Sequence, residues 1–568
     1  MLDIRIQNKS LDLGKVSVTF QLTSPIFNEV GSFSYPFTLP NTSKNKMLLG
    51  FLHRVNNSTY PVAAMADIFV NGLFWKNGEL YVTESNKDYI KVHFTLGEGY
   101  FYNRINVLGL KDLDLGGSRN VADYSGAGVN DVFSLAYNSN YPDCDFTLFE
   151  INNRNFYKDT DYHEIHNNYD NLAVNKYDKD LLMNVENNTF IPFVYLNYVI
   201  KKIFSQLNIS INYNFIDFDS EFMQMVIYNN VGVNTFIDDA GTISIRQNES
   251  FDLLNHVPDI SVSEFFKVLQ NTFGIYIISN EYTNSVNIIR LKDILLNNSI
   301  RVFDKDYSIS KIKQNTYDGL SLTWKFDSTD SYHKGGLHGI EPKSIDISRY
   351  NFLGNRVNGV GLIGTGNLGD CYFLENKFLY AVKEYHFSIA YGNEWVLAWD
   401  TSKSNAFCDF KIGKGGLKIT PQATLFRCYN SFLSALQKGN ITDLPGDFNS
   451  FDLRFLLYRG MVEQTVGGDT FDKPYGSSAS RFNGYEWEYS LYWHGSAGLY
   501  EMFWKEIIEF HQNTHEASFQ MLLNPSDFKR IDFSRKYRFA NANWLFSKIK
   551  FTVSEKGISP ARIEAFKV

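Results

Sequence analysis

Cysteine is scarce in this chain. There are four in 568 residues (Cys144, Cys371, Cys408 and Cys428), far apart and with no CxxC pair. A disulfide-stapled fold needs nearer to ten per cent cysteine in a short chain, so these four read as buried free thiols. Proline is scarce too, 13 residues without a Gly-X-Y period, which excludes collagen-like and proline-rich stalks. Positive charge is in deficit: the net charge is -8, so no domain-wide basic footprint for wrapping nucleic acid exists. No apolar run reaches the roughly 20 residues a bilayer requires, and no membrane span is expected. The first residues, Met1 to Ile6, lack a basic stretch followed by an apolar one, so no secretory signal is expected and folding in a cytoplasm is. No repeat of about 20–50 residues recurs, which argues against solenoids and propellers.

Aromatics and asparagine are abundant. The chain holds 48 Phe, 35 Tyr, 8 Trp and 56 Asn. Phe and Tyr suit strands and interfaces, and Asn suits turns. A coding bias toward A and T would enrich the same residues. With 44% hydrophobic and 20% charged residues the chain is globular rather than disordered. Its length suggests about three or four domains.

The expected fold class is multidomain and mainly β, with an α+β middle domain. Residues 1–110 read as a first β-barrel or meander domain. Leu2, Ile4 and Ile6 alternate with polar residues, as do Val16, Val18, Phe20 and Leu22. Pro25, Pro36 and Pro40 suit edges and turns, and Asn71-Gly72 and Asn77-Gly78 both signal tight turns. Residues 111–185 form an insertion rich in Asn, Asp and Tyr, expected as mostly surface loops. Residues 186–300 read as the α+β domain. A helix is expected over 191–207, with Pro192 in its first turn and Val194, Leu196, Val199, Ile200, Ile203, Phe204 and Leu207 on one face. A second helix over 262–273 has a Ser261/Glu264 capping signature, a buried face of Phe265, Phe266, Val268, Leu269 and Phe273, and Gly274 as its stop. Residues 301–490 read as a second β-rich, barrel-like domain with insertions. Residues 491–568 carry a helix near 498–511 and C-terminal strands.

Several motifs touch on chemistry, and none meets its structural requirement. Gly359, Gly361 and Gly364 spell GxGxxG, which binds a pyrophosphate only between a buried strand and a helix. Residues 351–358 are not an apolar strand, and Gly366 and Gly369 weaken any following helix, so a glycine loop is expected. His163, Glu164 and His166 have the wrong spacing for a zinc protease; His511 and His515 have the right spacing, but Glu516 falls after the second histidine. His494-Gly495-Ser496-Ala497-Gly498 lacks the first glycine of a nucleophile elbow. Asp112, Asp114, Asp143, Asp145, Asp159 and Asp161 could hold a cation, yet none completes an EF loop. Residues 413–416 do not make a P-loop, and no carboxylate pair stands out for glycoside hydrolysis. The expectation is therefore no catalytic, cofactor-binding or metal residues, no cofactor and no enzyme activity.

Four stretches carry a resemblance. The first is 33–42, Phe-Ser-Tyr-Pro-Phe-Thr-Leu-Pro-Asn-Thr, followed by Asn45 and 48–54. The second is 68–81, strand, Asn-Gly, strand, Asn-Gly, strand. The third is 191–207 with 261–295, and the fourth joins 499–504, 522–533 and 544–549. Together they resemble tail proteins of phages and prophages of Bacteroidota, in an order similar to the baseplate or tail-tip hub of long-tailed phages. Residues 111–185 and 340–490 match nothing in that family. The resemblance implies a tube-like β-barrel split by insertions, then an α+β domain, a second tube-like barrel and a helical part. It implies a virion structural protein at the tail tip. Such a protein would be a homo-oligomer, a trimer, ringed around the DNA path, touching other tail or baseplate proteins and transiently the passing DNA during ejection. Two further roles are open at this point. One is a receptor- or glycan-binding tail protein using Tyr475 and the aromatics of 487–493; the other is a tail-associated cell-wall hydrolase.

Overall fold

The computed structural model describes residues 2–27, 31–51, 63–120, 132–149, 151–152, 165–167, 190–229, 231–233, 235–239, 242–246, 250–280, 284–314, 319–322, 453–466, 469–477, 480–482, 485–491 and 496–568, together with short strands between 371 and 419. It is mainly β, with several sheets and few helices. None of the described helices is long and apolar enough to cross a membrane.

A fifteen-stranded sheet joins the two ends of the chain. Its path runs Lys9–Ser10, Leu2–Ile6, Ala63–Val70, Leu73–Ser85, Tyr89–Leu96, Ser32–Ser34 and Val18–Thr23. It then crosses to Ala542–Ser554, Ala561–Lys567, His515–Met521 and finally Tyr307–Gln314. Among the described residues this path does not return to its first strand. At the crossing, Val18, Phe20 and Leu22 lie opposite Val553, Phe551 and Ile549, and all six are buried. The Phe20 ring meets Trp75 edge-on at 4.8 Å and Phe551 at 5.7 Å, and Phe528 stacks on Phe551 at 4.0 Å. One apolar core therefore spans residues some 530 positions apart, and the strands of 1–110 and of 491–568 share a sheet that sequence order had separated.

The alternation read at Leu2, Ile4 and Ile6 is the buried face of a strand paired with both Lys9–Ser10 and Ala63–Val70, and Phe37–Pro40 ends on Pro40 as an extended segment. Asn71 and Gly72 turn the chain with φ of 52° and 77°, the geometry of a tight hairpin. Asn77-Gly78 does not turn. It lies inside the Leu73–Ser85 strand, where a Cβ on Gly78 would sit 2.6 Å from the Leu96 side chain and 2.8 Å from the Thr95 carbonyl. The glycine admits a close neighbour rather than a reversal.

A second core gathers the middle of the chain. The helix expected over 191–207 begins only at Leu196. Phe193–Tyr195 is a strand instead, held between Phe146–Thr147 and Met225–Ile227. Sheet pairing overrides helical periodicity there. The remaining helix buries Leu196, Val199, Ile200, Ile203 and Phe204. Val262–Phe273 matches its expected bounds: Ser261 accepts from the Glu264 amide, and Gly274 is left-handed at φ 62°. The third helix opens with a π-helical turn over Tyr500–Trp504 and continues as Lys505–Asn513; the Trp504 indole donates to the Thr272 carbonyl at 3.0 Å.

Two readings change. The described part of 111–185 is not mainly surface, because Leu113, Leu115, Phe133, Ala136, Tyr137, Phe146 and Leu148 are buried in this second core. These residues arrive from short helices, turns and two-residue strands, so no period announces them. The described strands of 301–490 also divide among several sheets. Tyr307–Gln314 belongs to the large one. Phe455–Val466 and Asp469–Ser477 join Phe146–Thr147, Phe193–Tyr195 and Met225–Ile227. Gly319–Leu322, Cys371–Glu375, Phe378–Val382, Phe407–Gly413 and Leu417–Ile419 make a separate five-stranded sheet.

Candidate functional site

The two cores meet at a cleft of about 400 Å³ lined by Met65, Asn77, Arg104, Asn208, Asn284 and Ser285, among others. The Arg104 guanidinium donates to the Leu207 carbonyl at 2.6 Å, and the Asn284 amide donates to the Asn208 carbonyl at 2.7 Å. A second groove of about 240 Å³ adjoins it across Phe101, between the helices Glu98–Asn106 and Val262–Phe273. Both are walled by amides, hydroxyls, the Arg104 guanidinium, the Lys267 ammonium and apolar side chains. The lining offers hydrogen bonds and stacking, but no nucleophile beside a base.

A polar network outside these two clefts joins Asp219, Glu221, Arg290, Arg459 and Tyr489. The Arg459 side chain is fully enclosed and donates to the Glu221 carboxylate and to the Tyr489 carbonyl. Glu221 also accepts from the amides of Glu488 and Tyr489, at 2.8 and 3.2 Å. Tyr489 donates its hydroxyl to Asp219, which faces Arg290 at 3.5 Å, and Arg290 donates to Asp293 at 2.8 Å. Burial brings the Arg459 pKa down to about 10 even with Glu221 beside it. Burial first, and then the hydrogen bond to Asp219, push the Tyr489 hydroxyl well up. Neither group exchanges a proton near neutrality. The network ties four segments together, and a charge inside it is costly to leave unpaired.

His256 is equally enclosed. Its Nδ1 lies 3.1 Å from Asn229 Oδ1, and burial together with the Lys111 charge takes its pKa down to about 3. It is a neutral core histidine, and no sequence pattern marks it. Burial likewise takes His511 down to about 4.

The sequence motifs scatter. His511 is in the last turn of its helix, whereas Thr514 is extended and His515 starts the next strand, so the pair does not share a helical face. His166 lies in a two-residue strand, while His163 and Glu164 fall outside the described residues. Asp112 and Asp114 accept from the Gly109 and Gly116 amides, and Asp145 pairs with Arg119 at 2.5 Å. Among the described residues no three His, Cys, Asp or Glu side chains gather as a metal site. Ser496 is in an exposed turn, and His494 falls outside the described residues, as do Gly359, Gly361, Gly364, Asp159 and Asp161. Cys144 is a buried free thiol whose pKa burial raises. Of the aromatics read as a sugar platform, Tyr475 is buried. It stacks on Trp487 at 5.9 Å, with Tyr485 at 6.1 Å from the same ring and Arg459 over it at 4.8 Å. Tyr475 is covered within this cluster, whereas Tyr485 remains exposed.

No family model matches the chain, and no curated protein matches it either. Among solved structures it is similar to the 43 kDa tail protein of prophage MuSo2 from Shewanella oneidensis, at 7% identity over 99% of this chain and 97% of that one, with a TM-score of 0.30. It is also similar to a tail protein from Neisseria meningitidis MC58, at 6% identity over 100% and 96% of the two chains, with a TM-score of 0.29. Both are described as tail proteins, the first of them from a prophage.

Proposed function

We propose that this protein is a structural, non-catalytic component of a phage tail. Its place is the hub at the tail tip or baseplate, joining the tail tube to the distal spike or receptor-binding parts and ringing the DNA path as a trimer. The observation that carries this reading is the split β unit. The sequence resemblance implies a β-barrel interrupted by insertions, and here strands of 2–96, 300–314 and 515–567 build one sheet around one core, with 97–299 and 315–514 inserted between them. Such a unit keeps both ends of the chain in one sheet. A trimer of identical subunits closes a ring through repeated contacts of one kind. The acidic balance suits a DNA conduit, because a negative wall does not hold phosphates.

Size-exclusion chromatography with light scattering tests it. The expected mass is three times the 65.4 kDa chain. A monomer that persists at the highest attainable concentration would sink the reading. A ring with a central opening in negative-stain images is the complementary expectation.

A further inference from the structure

The last strand of the large sheet, Tyr307–Gln314, is exposed at all eight positions. It pairs antiparallel with His515–Met521 on one side, and among the described residues no strand pairs with its other side. Half of its backbone N–H and C=O groups therefore point outward along about 27 Å of edge. Its side chains are sorted by face. Tyr307, Ile309 and Ile312 stand opposite Met521, Phe519 and Ala517, all buried, so they continue the core face of the sheet beyond the core itself. The Tyr307 ring meets Phe519 and Phe539 edge-on at 6.2 and 6.1 Å, yet Ile309 and Ile312 remain 51% and 61% exposed. The opposite face carries Ser308, Lys311 and Lys313.

Solubility alone explains the lysines and the register shift between Ile309 and Lys311, since both discourage stacking of edges. It does not explain an apolar stripe left outside the core. We propose that this edge accepts an added strand from another protein, an extended segment alternating apolar residues with Asp or Glu. Its apolar positions cover Ile309 and Ile312, and its acidic positions face Lys311 and Lys313. The strand has no acidic residue of its own; Lys313 stands across from Glu516 but Lys311 only across from Ser518, so Lys311 above all sets the partner's charge. A second copy fits worse. Antiparallel self-pairing sets Ile309 across from the other Ile312, but it gathers four lysines on one face of two adjacent strands, where like charges are destabilising. The recognition is strand addition: backbone bonds supply affinity and alternate side chains supply selectivity. It stands on this edge alone, whatever assembly the chain belongs to.

The test uses the full-length protein and two fluorescein-labelled decapeptides, one alternating valine with glutamate and one alternating valine with lysine. The glutamate peptide is expected to bind saturably, more weakly as salt rises, and to protect the amides of 307–314 from hydrogen exchange. Lys311→Glu with Lys313→Glu should lower its affinity at least tenfold and raise that of the lysine peptide. Unchanged protection of 515–521 in the free variant shows that the sheet is intact. Equal binding of the two peptides, protection elsewhere, or no protection at millimolar peptide would each overturn the proposal. So would concentration-dependent self-association that protects 307–314 without peptide, because the occupant would then be a second copy.

Discussion

Leu269 is buried in the middle of the Val262–Phe273 helix, and its neighbours Phe265 and Phe273 pack in the same core. Leu269→Ala should cost ~2–5 kcal/mol, and an unchanged urea midpoint would contradict that packing. Two histidines give the protein a pH dependence. His256 and His511 have folded pKa values of about 3 and about 4, below the ~6.5 of an unfolded histidine. The unfolded chain thus binds more protons than the folded one below neutrality. Their contribution is complete above pH ~6.5 and is lost as pH falls toward those folded values, at up to about 1.4 kcal/mol per pH unit for each histidine. Melts between pH 7 and pH 5 should show this slope, and His256→Gln should remove about one histidine's share. An identical slope in the variant would show that His256 is already protonated when folded. Leu269, Phe265, Ile200, Ile203 and Phe273 are legible in the sequence because helical periodicity marks a buried face, whereas Val194, picked out by the same stripe, is buried on a strand. His256, Glu221 and Arg459 are not. A buried polar group is recognisable only with its partner, and Arg459 finds Glu221 across 238 positions. Glu221→Ala should therefore cost about 3–5 kcal/mol by stranding a buried guanidinium, far more than the removal of an exposed pair such as Lys505–Glu501.

At the scale of elements, local signals are legible where the element closes on itself. Asn71-Gly72 makes its hairpin, and Ser261 and Gly274 bound their helix, because caps and turns are settled by a few adjacent residues. Elements that answer to distant neighbours depart from their local signals. Residues 193–195 carry a helical stripe but pair as a strand, and Asn77-Gly78 has turn chemistry but sits against Leu96. Two glycines separate backbone strain from packing. Gly72 has φ +77° with nothing near an added methyl, whereas Gly274 has φ +62° and would place its Cβ 2.9 Å from Ile507 Cδ1. Gly72→Ala should cost about 1–2 kcal/mol from the left-handed conformation alone. Gly274→Ala should cost more, because the Lys505–Asn513 helix must also give way. Equal losses in thermal or urea melts would mean that Ile507 yields freely.

The whole molecule is organised by the pairing of Val18–Thr23 with Ala542–Ser554, and no local pattern could announce it. Alternation reveals both strands, but an alternating strand does not name its neighbour, and chain order favours nearby partners. The consequence is a dependence of the beginning of the chain on its end. Removing residues 542–568 takes away Ile549, Phe551 and Val553 and uncovers Phe20, Leu22 and Trp75, which supply the centre of that core. The second core receives only Leu545 and a partly buried Phe566 from the same residues. Hydrogen exchange on a chain ending at 541 should therefore find the amides of 2–96 unprotected while those of Val262–Phe273 keep their protection. Retained protection over 18–23 and 89–96 would mean that the N-terminal strands hold a core of their own. Loss of protection in both regions would mean that the two cores fold as one cooperative unit. The selective loss follows from the contacts: the large sheet has its centre at the seam, and the middle core encloses its helices without it.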